Sequence, residues 1–161
     1  MLGISTKGHY GLVIMTALAL VAEGTPLSLA RIAEETGISL GYLEQIVATL
    51  KENGLVESVR GAKGGYVLGR EPSEITAHQI ILATEREIAP ISCSLQPDEG
   101  VCCHRVNYCP TVFLWGRLEQ QLSLALGDTT LEDLARHSGN NKRGTNSQSS
   151  VVAQLRAGAL R

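Results

Sequence analysis

Between Ser28 and Leu68, helix-starting and helix-stopping residues alternate so closely that the chain has room only for two short helices, a tight turn and a hairpin. Ser28 is a capping residue for a short helix with Leu29, Ile32 and Ala33 on one face, and Gly37 supplies the positive φ that ends it. Ser39 then caps a second helix in which Leu43, Ile46, Val47 and Leu50 fall at i, i+3, i+4 and i+7. Asn53-Gly54 closes that helix. Residues 55–60 read as a strand, residues 61–65 as a glycine-rich turn, and Tyr66-Val67-Leu68 as the returning strand. This order predicts a winged helix-turn-helix.

The flanking segments complete a mainly α chain. Leu12, Ile14, Met15, Leu18, Ala19 and Ala22 keep helical spacing, which predicts a buried helix over residues 8–22, stopped by Glu23-Gly24-Thr25-Pro26. Thr76-Ala77-His78-Gln79 has capping-box form and opens a helix expected to pack on the back of the wing. After an irregular segment, Pro110 restarts helix, and Trp115, Leu118, Leu122 and Ala125 follow 3-4-3 spacing, the seam of two packed helices. Leu114 and Leu124 add a second apolar edge, so this long helix is expected to pair two copies of the chain. Thr130-Leu131-Glu132-Asp133 caps a last short helix.

Four units follow: a DNA-binding domain over 1–86, a cysteine-rich loop over 87–110, a dimerisation helix with a short C-terminal helix over 111–137, and a disordered tail over 138–161. Hydrophobic residues make up 43 % of the 161, enough to close a core. No apolar run approaches the roughly 20 residues needed to span a bilayer, and residues 1–7 lack the pattern of a signal peptide, so the expected location is the cytoplasm, with no membrane partner.

The net charge of −2 gives no general attraction to nucleic acid, but its distribution does not forbid a local one. Residues 71–138 hold four Lys/Arg and ten Asp/Glu, whereas residues 1–70 hold six of each. On the second short helix, Gln45 can bond adenine through both amide atoms and Glu44 can accept from cytosine. Tyr42 and Ser39 are placed to reach phosphates. In the turn, Arg60 and Lys63 can reach phosphates or a narrow minor groove, while the glycines let the tip come close to the duplex. The turn lacks the G-x-x-x-x-G-K-[ST] pattern of a phosphate loop and the helix that must follow it, which excludes nucleotide binding there.

All four cysteines, Cys93, Cys102, Cys103 and Cys109, lie within one short segment. In a reducing compartment such clustering reads as metal-binding or redox-active. Soft thiolates select iron-sulfur clusters, zinc or copper(I), and four cysteines, or three with a histidine, also suit tetrahedral zinc.

The stretch Gly37-Ile38-Ser39-Leu40-Gly41-Tyr42-Leu43-Glu44-Gln45, with Asn53-Gly54-Leu55-Val56, Ser58-Val59-Arg60-Gly61 and Gly64-Gly65-Tyr66, resembles the IscR, NsrR and CymR family of bacterial regulators. The likeness runs from about Gly3 to about Asp133. It implies a homodimer that binds double-stranded DNA at a palindromic operator, a regulator (by default a repressor) and not an enzyme. It also implies an iron-sulfur cluster, 2Fe-2S favoured over 4Fe-4S, on Cys93, Cys103 and Cys109. Five residues separate Cys103 from Cys109, as in the family, whereas the nine between Cys93 and Cys103 exceed the usual gap. Val112 stands where the iron-sulfur-assembly regulator has a fourth, histidine ligand. His9 aligns with the position from which the nitric-oxide sensor supplies its fourth ligand across the dimer, and Cys102 and His104 are the rivals within the loop. Cluster-free members of this family are instead controlled by a partner enzyme.

Overall fold

The computed structural model describes residues 5–61, 63–85 and 109–140. They form α1 (Thr6–Leu20), α2 (Leu29–Thr36), α3 (Leu40–Glu52), β1 (Val56–Val59), β2 (Gly65–Leu68), α4 (Ala77–Glu85), α5 (Val112–Gly127) and α6 (Leu131–Asn140). The two strands are antiparallel, with Val56 opposite Leu68 and Val59 opposite Gly65. Mainly helical with a two-stranded wing, the architecture is the one expected.

The helix starts follow the capping residues. Ser28 accepts a hydrogen bond from Arg31 N–H, and Gly37, at φ +72°, donates its N–H to the Ala33 carbonyl. Ser39 is the N-cap of α3, but its side chain makes no capping bond; only its carbonyl is used, by the N–H groups of Tyr42 and Leu43. Thr76 and Gln79 exchange both bonds of a capping box at 3.1 and 3.3 Å. Thr130 and Asp133 do the same at the start of α6, each at 3.1 Å.

One contiguous core joins Ile14, Met15, Ile32, Leu43, Ile46, Leu50, Leu55, Ile75, Ile80 and Leu131. Buried residues run almost without a break from Ile14 to Leu20, so α1 is covered on most sides and forms the centre of the domain. α4 does not sit chiefly on the wing, as its sequence suggested, but packs on α1 and α3. At the α1–α4 crossing the helices approach closely: a Cβ on Gly11 would lie 2.9 Å from Thr84 Cγ2. α6 also returns to α1, carrying the fully buried Leu131 into the core. Its entry is fixed by Leu131 N–H to the Ile75 carbonyl at 2.8 Å and Ala77 N–H to the Thr129 carbonyl at 2.9 Å.

A carboxylate closes the start of α1. Glu85 Oε1, at the end of α4, accepts from Gly8 N–H at 2.8 Å, from Ser5 N–H at 3.2 Å and from the Ser5 hydroxyl. These bonds satisfy donors that the first turn of the helix leaves without intrahelical partners. Glu85 thereby pins the residue from which the chain enters the cysteine-rich segment.

The Asp133 carboxyl titrates below its ordinary range, chiefly because the Thr130 hydroxyl and then the Thr130 N–H bond to its ionised form. A depressed carboxylate stabilises the fold above its unfolded-state pKa, and that contribution disappears as pH falls through the lower folded-state value. Asp133→Ala is therefore expected to lower the melting temperature at neutral pH and to reduce its further fall between about pH 5 and pH 2. Thermal denaturation of the two proteins across that range checks it.

Candidate nucleic-acid interface

α3 is amphipathic in the way that a groove-reading helix requires. Leu43, Ile46, Val47 and Leu50 are completely buried, while Gly41, Glu44, Gln45 and Ala48 are exposed. Glu44 and Gln45 stand side by side on the outer surface, and neither side chain has a hydrogen-bond partner among the described residues. Ser39 is exposed, with its hydroxyl released from capping. Tyr42 differs from these three. It is half-buried, and its ring meets Tyr10 of α1 edge-on at 6.1 Å between centroids.

Behind α3 the wing is fastened at two places. Lys51 Nζ donates to Ser58 Oγ at 2.9 Å, tying the end of α3 to β1. Leu27 and Tyr66 exchange two backbone hydrogen bonds of 3.0 Å, adding a one-residue third strand to the hairpin. The closeness of that contact explains Gly65, where a Cβ would lie 2.5 Å from the Leu27 carbonyl oxygen. Gly64 is likewise required by the wing itself, since its Cβ would lie 2.4 Å from the Val59 carbonyl oxygen. Sequence reasoning had given these glycines to the approach of DNA. At the tip, Arg60 and Lys63 are both exposed and form no ion pair among the described residues.

Of the expected cluster ligands, Cys93 and Cys103 lie outside the described residues, as do Cys102 and His104. Cys109 is placed at the foot of α5, partly exposed, with its carbonyl accepting from Val112 N–H at 3.3 Å. The Thr111 hydroxyl lies 3.1 Å from its sulfur, and this bond, followed by Thr111 N–H, holds the thiol below its ordinary pKa. A partly exposed thiol biased toward thiolate at a helix start fits a soft-metal ligand. His9 is exposed on the first turn of α1, and its ring lies 5.4 Å from that of Tyr10. His9, Tyr10 and Tyr42 thus form a ladder of rings from the start of α1 to α3.

Several features of this surface are not among those singled out from the sequence. Leu40 and Ala48 share the exposed side of α3 with Glu44 and Gln45, a placement that the four-residue spacing 40, 44, 48 already implied. The Glu85 contact and the Tyr10–Tyr42 contact join distant parts of the chain, and only the tertiary fold reveals them.

Comparison with known proteins decides the lineage. A profile of the Rrf2 family, described as an iron-dependent transcriptional regulator, matches residues 4–137. The chain belongs to the Rrf2 family. Among curated relatives of this Rrf2 protein, the HTH-type transcriptional regulator CymR of Bacillus subtilis is 46 % identical over 132 residues, covering 82 % of this chain and 88 % of that one. The regulator IscR of Xenorhabdus nematophila is 39 % identical over 134 residues, covering 83 % and 79 %. The solved structure of CymR, the global cysteine regulator of B. subtilis, superposes with a TM-score of 0.69 over 85 % of this chain and 98 % of that one. T. potens IscR superposes at 0.68, with 36 % identity, over 91 % and 94 %. The Rrf2 chain is a DNA-binding transcription regulator, and its relatives are named as regulators and not as enzymes. Among the described residues no helix is long and apolar enough to cross a membrane.

Proposed function

We propose that two copies of the chain pair through α5 and read a palindromic operator, each half-site by one α3 and one wing, under the control of an iron-sulfur cluster in the cysteine segment. In this reading Gln45 and Glu44 contact base edges, Ser39, Tyr42, Arg60 and Lys63 position the protein on phosphates, and Cys93, Cys103 and Cys109 hold the cluster with His9 of the second copy. The observation that carries the DNA part is the unpartnered polar pair Glu44 and Gln45 on the outside of a helix whose inner side is fully buried. Repression is the expected outcome, through occupation of the operator.

When bound, an iron-sulfur cluster supplies a centre whose assembly and oxidation state respond to iron, oxidants and nitric oxide. The chain's own part is to hold and report. Cys109 presents a thiol held below its ordinary pKa at the foot of the pairing helix, Glu85 pins the other end of the cysteine segment to α1, and the His9–Tyr10–Tyr42 ladder gives contiguous packing toward α3. A change at the segment can therefore bias the pose of both recognition helices by shifting a two-state equilibrium.

A second reading, regulation through thiol chemistry or a partner protein without a cluster, is favoured by the 46 % identity to CymR. Visible absorption, with iron and sulfide counted in protein purified without air, separates the two. A colourless, iron-free protein that still binds DNA supports the second reading.

The base-contacting role has its own test. Gln45→Ala is expected to weaken binding to the cognate operator by about 1 to 3 kcal/mol while leaving affinity for random DNA nearly unchanged. Titration of both DNAs at one salt concentration measures it, and an equal loss on both would contradict base reading.

A further inference from the structure

We infer that Leu40 reads the C5-methyl group of a thymine in each half-site, which makes it a specificity residue in addition to the polar pair Glu44 and Gln45. This rests on the reading of α3 as the groove-inserted helix. Leu40 is the first residue of α3, one turn before Glu44 on the same stripe, and its side chain remains 43 % exposed. Among the described residues the other strongly exposed large apolar ones are Phe113, Leu114 and Leu124 on the proposed pairing helix, Leu82 on α4 and Val59 beside the wing tip. Leu40 is thus the large apolar side chain left uncovered on α3.

Its neighbourhood keeps it accessible. Gly41 next to it has no side chain, and a Cβ built there would meet no atom within 4 Å, so no described residue crowds the position beside Leu40. Ser39 before it is exposed, and Glu44 after it is exposed. A leucine at the leading end of a helix in the major groove has one apolar counterpart among the base edges, the thymine methyl. Side chains lean toward the helix N-terminus, so Leu40 reaches the base step beyond the one read by Glu44.

The experiment uses the full-length dimer and a palindromic site obtained from random DNA by selection with the purified protein. Each thymine of a half-site is replaced in turn by uracil, symmetrically in both halves, which removes only the methyl group. For the parent protein one such replacement is expected to weaken binding about fourfold per half-site, the effect of exposing one buried methyl, and so roughly fifteenfold for the palindrome. Leu40→Ala should bind the thymine and uracil versions of that site equally. Leu40→Met should keep most of the difference, and random-DNA affinity should not change in either variant.

If no thymine position distinguishes the parent from Leu40→Ala, while Gln45→Ala still loses cognate affinity selectively, α3 reads the groove and Leu40 does not, which overturns the inference alone. If Gln45→Ala and Leu40→Ala both leave the ratio of cognate to random binding unchanged, the reading of α3 itself fails. Circular dichroism of each variant separates these outcomes from misfolding.

Discussion

Leu118→Asp combined with Leu122→Asp is expected to give a folded monomer that has lost at least about 100-fold in affinity for a palindromic operator, because one chain can no longer place two recognition helices at once. α5 is roughly 24 Å long at 1.5 Å per residue, and no residue in it is buried. Phe113 is 75 % exposed and Leu114 and Leu124 about half exposed, while Trp115, Leu118 and Leu122 are only partly covered. A helix this apolar on more than one side needs a cover that the protomer does not supply among its described residues. A second copy around a two-fold axis would bring the same seam from the other side, so each substitution places two carboxylates in a desolvated contact without cations to pair with. The monomer should remain folded because the core runs through α1 to α4 and Leu131 of α6 and does not depend on α5. Sedimentation together with circular dichroism distinguishes a folded monomer from a collapsed chain. A dimer that persists in the double variant would place the pairing surface elsewhere.

The second large effect concerns the cysteines. Cys93→Ala, Cys103→Ala and Cys109→Ala are each expected to abolish or strongly reduce cluster binding after anaerobic reconstitution, with the thermal stability of the apo protein little altered. Cys109 illustrates why the fold should tolerate the change: its sulfur is partly exposed and is met by the Thr111 hydroxyl and by backbone N–H groups of the first turn of α5, not by a buried side chain. His9→Ala should behave differently, since loss of one neutral nitrogen ligand leaves three thiolates. The cluster should still assemble, with a shifted reduction potential and spectrum and greater lability. If His9→Ala leaves both unchanged while Cys102→Ala or His104→Ala alters them, the fourth ligand lies within the loop and the two subunits are not bridged at the cluster. Full zinc occupancy without sulfide in protein isolated without air would remove the cluster altogether.

The local grammar of the fold was legible because its signals act over a few residues. Ser28 with Gly37 delimited α2, the apolar i, i+3, i+4, i+7 series defined the inner side of α3, and the capping boxes at Thr76 and Thr130 marked the starts of α4 and α6. Boundaries moved where a partner lay far away. α1 begins at Thr6, two residues before the expected Gly8: Ser5 caps it locally by accepting from Lys7 N–H, and the Glu85 carboxylate reaches the same N-terminus from 77 to 80 positions along the chain. The same limit hid the seat of α4: its sequence declares an apolar side, but only Gly11, small enough for a close crossing, decides that this side meets α1. Leu27 was not recognisable as a strand, since a single residue pairing with Tyr66 has no alternation to detect. At the interface, exposure of Glu44 and Gln45 followed from the helical period, whereas the half-burial of Tyr42 came from Tyr10 on another helix. α6 extends to Asn140, and residues 141–161 of the expected disordered tail, like most of the expected cysteine loop, lie outside the described residues.

In the proposed function the state of the cysteine segment sets the affinity of the two recognition helices for one operator. This coupling is tested most directly by titrating the selected palindromic site with a single anaerobic preparation before and after its cluster is removed, at fixed salt and with random DNA alongside. Cluster removal is expected to change cognate affinity at least about tenfold, the effect of roughly 1.4 kcal/mol of coupling, while random-DNA affinity stays nearly constant. Equal cognate affinity in the two states, with the dimer and the spectrum of the starting material verified, would contradict it.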